Sequence, residues 1–272
     1  FQADAVLGMG GFTSMPPILA AHRLKRPTFI HEANSIPGKA NRLTAKYCSA
    51  VFVGMEVCRP HFPGKTCHMV GTPVRDELKE PVDREAALAS FGLRPDRFTL
   101  LVMGGSQGAQ GLNRAVIASL PHLPKEKIQW LHLTGEDDEA AVRAAFDEQG
   151  FTHHTAAFCD RMAEALTISD GALCRSGASS MSELAYFGIP SILVPYPHAA
   201  ENHQYFNAKP HDDAGAGILC PQDELSGERL AGILQDSFFS EEKRNAMKKS
   251  LQSFSSHDAN IKICDIMEAQ IA

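Results

Sequence analysis

The stretch that decides the fold runs from Gly171 to Ala208, GALCRSGASSMSELAYFGIPSILVPYPHAAENHQYFNA. Ala172 to Cys174 is a short apolar run, and Ser176-Gly177 breaks it. Ser180-Met181-Ser182-Glu183 then has the S-x-x-E spacing of a capped helix start. Gly188-Ile189-Pro190 is a helix stop followed by a proline, and Ser191 to Pro195 reads as a second buried strand. The stretch is therefore β-turn-α-β, followed by a second, polar-lined helix. Outward from it, short apolar runs alternate with helical segments: Ala5 to Gly8, Pro16 to Leu24, Thr28 to His31, Lys39 to Tyr47 and Ala50 to Val53. A second series starts at Phe98 to Met103 and continues through Gly108 to Leu120, Gln129 to Leu133, Asp137 to Gln149 and Thr155 to Phe158. Such alternation predicts βαβ units and two parallel, Rossmann-like sheets. Residues 75–96 are charged and proline-containing and read as a domain junction, with the boundary near Arg75.

Composition narrows the class. The chain has 272 residues, 44% hydrophobic and 21% charged, enough for a large core in one big or two ordinary domains. Its formal charge of −6 leaves no basic surface for a row of phosphates, so nucleic acid is not an expected partner. Seven cysteines without a C-x-x-C pair suit reduced core thiols rather than a disulfide frame or zinc site. No D-x-D occurs, and Glu136-Asp137-Asp138-Glu139 reads as an acidic first helical turn, so neither a metal nor any cofactor is expected.

The order C-R-S-G-A, S-E, G-I-P, V-P-Y-P-H, H-Q and N-A in the quoted stretch resembles the donor-sugar half of the MurG family. These N-acetylglucosaminyltransferases convert lipid I, undecaprenyl-pyrophosphoryl-MurNAc-pentapeptide, to lipid II in peptidoglycan synthesis. Four further blocks fit the family in order: Gly8-Met9-Gly10-Gly11-Phe12; His31-Glu32-Ala33-Asn34 with Pro37-Gly38; Val70 to Arg75; and Gly104 to Ala109 with Asn113. The resemblance implies an α/β GT-B fold with two Rossmann-like domains, the first incomplete in this chain. Residues 1–75 would be the remainder of the acceptor domain and 76–259 the donor domain, with a helix at 260–272 packing back on the first. The family has an upstream Gly-rich loop containing a His, and no G-G-T-G-G-H is found here, so the chain resembles a piece lacking much of the acceptor domain.

The resemblance also distributes roles. UDP-N-acetylglucosamine is the implied donor substrate, lipid I the acceptor, and the cytoplasmic face of the bacterial cell membrane the place of peripheral attachment. Donor contacts would come from Arg75, Ser106, Gln107, Asn113, Cys159, Ala178, Ser179, Ser180, Met181, Ser182, Glu183, Gln204 and Asn207. Acceptor or sugar contacts would come from Asn34 and Phe12.

Residue chemistry leaves alternatives open at several positions. A glycine turn between strand and helix can hold a diphosphate on free amides and a helix dipole, or simply be a tight turn. Glu183 can accept hydrogen bonds from both ribose hydroxyls or serve as the N3 residue of a capping box. Arg75 can meet charge on a leaving diphosphate or form an interdomain salt bridge. Asn113, Gln204 and Asn207 are either ligand contacts or solvated helix polar groups, and Pro210 is expected to end or kink the helix that carries Asn207. His31 and Glu32, at a strand end, are candidate bases or structural groups, and the base is unassigned. Two rival functions stand beside transfer to lipid I: a nucleotide-sugar epimerase or other GT-B transferase, and a binding-only protein for a UDP-sugar.

Overall fold

The computed structural model describes residues 3–105 and 108–271. Contacts divide the chain into two units: Phe1–Val74, Gly177–Ser182 and Ser255–Ala272 form one, and Arg75–Ser176 with Glu183–Phe254 form the other. In the first unit, β1 (Val6–Gly8), α1 (Met15–Arg23), β2 (Thr28–Glu32), α2 (Lys39–Thr44), β3 (Ala50–Val53) and β4 (Cys67–Met69) build a parallel sheet in the order β1-β2-β3-β4. Successive side chains of a strand face opposite ways. Ile30, Val51 and Val53 pack with Ile18 on one side, while Phe29, Ala50 and Phe52 face the other, where the two phenyl rings stack at 5.6 Å. The short edge strand β4 carries too few apolar residues to announce itself in the sequence.

The second unit opens with α3 (Arg84–Ser90) and β5 (Phe98–Met103). It continues with α4 (Gln110–Ser119), β6 (Ile128–Leu133), α5 (Glu139–Gln149), β7 (His153–Ala156), α6 (Met162–Ile168), β8 (Gly171–Cys174), α7 (Ala178–Phe187, its residues up to Ser182 grouped with the first unit), β9 (Ser191–Leu193), α8 (His203–Asp213) and β10 (Ile218–Leu219). Its six strands are parallel in the order β10-β9-β8-β5-β6-β7. Counted from β5, this is 6-5-4-1-2-3, the doubly wound order whose direction reverses between the first and fourth strands. Helices α9 (Gly227–Ile233) and α10 (Glu241–Leu251) follow. Leu100, Val102, Trp130, Phe146, Leu173 and Phe238 are among the residues of its core. Trp130 has no exposed surface, and truncation of such a side chain to alanine costs about 3–5 kcal/mol.

Residues 75–96, expected as a plain junction, contain a helix. Asp83 accepts from the amides of Glu85 and Ala86 at 2.9 and 3.0 Å and so caps α3. Arg84 then reaches the Thr167 carbonyl and Asp170 at 2.6 and 2.9 Å, and Asp170 also accepts from the Thr99 amide. The helix does not end at Pro210: α8 continues through it to Asp213, and the Ala214 amide closes on the Pro210 carbonyl at 3.2 Å. On α8, His211 stacks on Phe254 at 3.8 Å.

The last helix, α11 (Ala259–Ile271), belongs to the first unit and lays Ile263, Ile266 and Met267 against the face of Phe29, Phe52 and Val70. The strand-end turn beside it fixes its approach. Gly71 has φ +83°, its Cβ position would meet the Ser256 Cβ at 2.3 Å, and the Ser256 hydroxyl donates to the Val70 carbonyl at 2.8 Å. Gly71→Ala therefore strains the backbone and displaces Ser256. Thermal unfolding should show a loss of about 1–3 kcal/mol; an unchanged melting temperature contradicts this close approach.

Candidate functional site

Ligands of open α/β sheets sit beyond the strand carboxyl ends where strand order reverses, here between β5 and β8, paired with Met103 opposite Cys174. Past β5 the chain turns through Gly104 and Gly105, and past β8 through Arg175 and Ser176. Gly105 and Gly108 have φ of +98° and +74°, and the Gly108 amide donates to the Gly105 carbonyl at 3.0 Å. A side chain at Gly108 would put its Cβ 2.0 Å from the Thr134 carbonyl oxygen, so this position accepts glycine alone. Ser106 and Gln107, expected donor contacts, lie outside the described residues.

Asn113 is buried, not the solvated helix residue that was one expectation for it. Its Nδ2 donates to the Thr134 carbonyl at 3.0 Å and to Asp138 Oδ2 at 2.8 Å, and its Oδ1 faces His132 Nε2 at 2.8 Å. The side chain thus binds its own protein, holding the β6-to-α5 loop beside the glycine turn. Asp138 is engaged there, and Glu139 accepts from Arg143 and the Ala157 amide at 2.6 and 3.1 Å. No group of three His, Cys, Asp or Glu among the described residues is arranged as a metal site.

The capping box expected at Ser180 is not where α7 starts. Met181 N donates to Gly177 O at 3.0 Å, so the helix begins at Ala178, with Ser180 its third residue and Glu183 its sixth. The first-turn amides of Ala178, Ser179 and Ser180 have no partner within the helix. Ala178 and Met181 are buried, Ser179 is exposed, and Ser182 turns its hydroxyl back to the Ala178 carbonyl at 2.9 Å.

Freed from capping, Glu183 pairs with Arg75. Both Nε and an Nη of the guanidinium approach one Glu183 oxygen at 3.2 Å. The arginine side chain is 59% exposed and the glutamate 14%. Burial pushes the Glu183 carboxyl above its ordinary range, and Arg75 offsets part of that. A carboxylate held in place by an exposed arginine, with its second oxygen outside that pair, is suited to accept from hydroxyls.

Gln204 and Asn207 are both on α8 but do different things. Gln204 Oε1 accepts from the Tyr196 amide at 2.9 Å, while Asn207 is wholly buried and donates to the Ser176 carbonyl at 3.1 Å. Asn207 therefore ties α8 to the turn after β8 instead of lying on a solvated face. The helix is entered through Glu201 and Asn202, both left-handed with φ of 53° and 52°, local strain of the kind that gathers at ligand loops. Cys159, past β7, is buried, which raises its thiol pKa, and its neighbour Phe158 is 67% exposed.

Arg175, in the C-R-S-G run, is not among the residues that the sequence singles out, and the structure gives it several partners. Its guanidinium is half-buried, donating to the Val194 and Pro195 carbonyls at 3.4 and 3.2 Å and to Gln222 Oε1 at 2.5 Å. It lies 5.5 Å from the Tyr196 ring, and burial lowers its pKa.

In the first unit, both candidate bases do structural work. His31 is buried with Nε2 2.8 Å from the Gly71 carbonyl, and burial lowers its pKa. Glu32 accepts four hydrogen bonds: the Asn34 amide and Nδ2, each at 3.0 Å, the Gly38 amide at 2.9 Å and Asn41 Nδ2 at 2.8 Å. It ties the loop after β2 to the start of α2. That loop and the Gly10-Gly11-Phe12 turn border a cavity of about 650 Å³, lined also by Met9, Asn34, Lys39 and Leu43. Phe12 is 83% exposed at its mouth.

Buried neutral histidines give the protein an acid limit. Burial holds His132 down to about 3 and His211 to about 4, from an ordinary 6.5. Below 6.5 the unfolded chain takes up protons that the folded one refuses until pH 4 or 3. Stability is therefore full above 6.5 and falls as pH drops, by about 1.4 kcal/mol per pH unit for each histidine. His211→Gln should remove one proton from that slope between pH 4 and 6.5 in denaturant titrations; an identical slope contradicts the assignment.

Residues 99–262 match the glycosyltransferase family 28 C-terminal domain, and residues 1–53 match the glycosyltransferase family 28 N-terminal domain. A UDP-N-acetylglucosamine–N-acetylmuramyl-(pentapeptide) pyrophosphoryl-undecaprenol N-acetylglucosamine transferase of Geobacter sulfurreducens is 40% identical over 272 residues, spanning 99% of this chain and 74% of that protein. Among solved structures, Acinetobacter baumannii MurG superposes with a TM-score of 0.79 at 26% identity, covering 98% of this chain and 75% of that one. A putative UDP-N-acetylglucosamine 2-epimerase of Listeria monocytogenes superposes at 0.72 with 16% identity, covering 98% of this chain and 74% of that one, a likeness of fold alone. The chain has the GT-B fold and belongs to the MurG family of family 28 glycosyltransferases.

Proposed function

We propose that this chain is an inverting glycosyltransferase that moves N-acetylglucosamine from UDP-N-acetylglucosamine to the C4 hydroxyl of lipid I, forming lipid II. The observation that carries the reading is 40% identity, across 99% of the chain, to a transferase named for that reaction. The chemistry is a displacement: the acceptor oxygen bonds the anomeric carbon, the bond to the diphosphate oxygen breaks, and UDP leaves with the electron pair. A base takes the hydroxyl proton.

The donor's ribose hydroxyls are assigned to Glu183, and the uracil edge to the backbone at Cys159. The diphosphate is assigned to the turn from Gly104 to Ala109, including Ser106 and Gln107, and Ala178, Ser179, Ser180, Met181 and Ser182 keep the donor role that the family resemblance gives them. Gln204 serves the hexose from α8, and Asn207 and Asn113 support the turns beside it. Negative charge growing on the leaving diphosphate is met by Arg75 and by the start of α4, where a helix terminus carries about half a charge. In the first unit, Asn34 and Phe12 border the cavity assigned to the acceptor sugar. Protein cations and amides then fill the place of a divalent ion. Among the described residues no helix is long and apolar enough to cross a membrane, and we assign the enzyme a peripheral place on the cytoplasmic face of the cell membrane, where lipid I is presented.

A soluble lipid I analogue with UDP-N-acetylglucosamine tests the reaction, with products resolved by mass spectrometry. The expected product is the disaccharide-bearing analogue; N-acetylmannosamine in its place would make the protein an epimerase, and donor binding without any product would make it a binding protein. The rate should survive excess chelator, and loss restored by magnesium or manganese contradicts the metal-free reading. Glu183→Gln should raise the donor Kd about tenfold or more with no loss of stability at pH 7, since burial already disfavours the charged carboxyl. Unchanged affinity with collapsed stability contradicts the ribose role.

A further inference from the structure

One buried imidazole has no part in the reaction as described above. His132, on β6, has no exposed surface, and its ring meets Phe146 edge-on at 5.9 Å. Its single hydrogen bond fixes its tautomer. Asn113 presents one end to the Thr134 carbonyl and the Asp138 carboxylate, both acceptors, so that end is the amide nitrogen. The other end is the Asn113 oxygen, and His132 must donate to it from Nε2. Nδ1 is then left with a lone pair and no hydrogen-bond partner among the described residues. The Nε2–H bond to Asn113 is the polar work this side chain does.

That bond reaches the glycine turn in two steps. Asn113 holds the Thr134 carbonyl at 3.0 Å, and Gly108 lies so close to the same carbonyl oxygen that a Cβ would stand 2.0 Å from it. Any shift of Thr134 moves the floor under Gly108. Asn113 is also tied to the turn through α4, its own amide donating to the Ala109 carbonyl at 3.0 Å.

We propose that His132 is a positioning residue for the diphosphate of the donor, acting through Asn113 and the Thr134 carbonyl on the turn at Gly108. The proposal rests on the assignment of that turn to the diphosphate. It separates the two ends of the ligand, because uridine has the base and ribose but no phosphate. His132→Leu removes the donor to Asn113, and His132→Gln puts an amide nitrogen near the place of Nε2.

The test is calorimetric or competition binding of UDP and of uridine to the full chain and its variants. His132→Leu should weaken UDP about five- to tenfold and leave uridine unchanged, while His132→Gln recovers most of the UDP affinity. A simply structural histidine would lower the melting temperature and leave the ratio of the two affinities unaltered, which overturns the proposal, as does equal weakening of both ligands. If His132→Leu does not fold, Asn113→Asp is read in the same way: it keeps the acceptor for His132 but loses the donors to Thr134, and UDP affinity equal to that of the parent chain overturns the proposal. A parent chain that binds UDP no more tightly than uridine overturns the diphosphate assignment itself, before any variant is read.

Discussion

The pairing of β5 with β8 is the constraint on which the second unit depends. With Met103 beside Cys174, two parallel strands end side by side, and the chain leaves them toward different halves of the sheet. The Arg175 amide still donates to the Met103 carbonyl at 3.4 Å, and beyond it the two strands part. Two things assigned to the donor follow from this reversal: the glycine turn past β5, and Glu183, on the helix that follows β8, within reach of Arg75. Were the register shifted by one residue, every side chain along these strands would change face.

Around these turns the protein uses buried polar groups as fixed anchors. Glu32 takes four hydrogen bonds from one loop, Asn113 spans His132, Thr134 and Asp138, and Asn207 holds the Ser176 carbonyl. A buried polar side chain is costly unless satisfied, and once satisfied it permits few alternative arrangements. Each of these residues holds backbone close in sequence to residues assigned to substrate. The contrast with Arg75 and Glu183 follows from the same physics: a pair joined through one carboxylate oxygen, with an exposed guanidinium, can rearrange when hydroxyls or phosphates arrive.

Apolar runs made the sheets legible. Phe98 to Met103 and Ala50 to Val53 are continuous hydrophobic stretches because parallel strands are covered on both faces, and their bounds coincide with β5 and β3. Helix α3 was hidden because its cap, Asp83, sits among charges that also describe a linker. The S-x-x-E spacing at Ser180 matches a capping box by coincidence, since the chain enters α7 three residues earlier, through Gly177. Asn113 and Asn207 could not be read as buried from α4 or α8 alone: what covers them comes from β6 and from the turn after β8. The Arg75–Glu183 pair joins residues 108 positions apart, which no local pattern reports.

We assign the donor's uridine diphosphate to the reversal between β5 and β8. A crystal structure of the chain soaked or grown with UDP tests this assignment most directly. The diphosphate is expected against the turn at Gly104 to Gly108 and both ribose hydroxyls on Glu183, with the uracil at the Cys159 backbone. UDP seated elsewhere, or Glu183 still bound to Arg75 alone with UDP present, would contradict it.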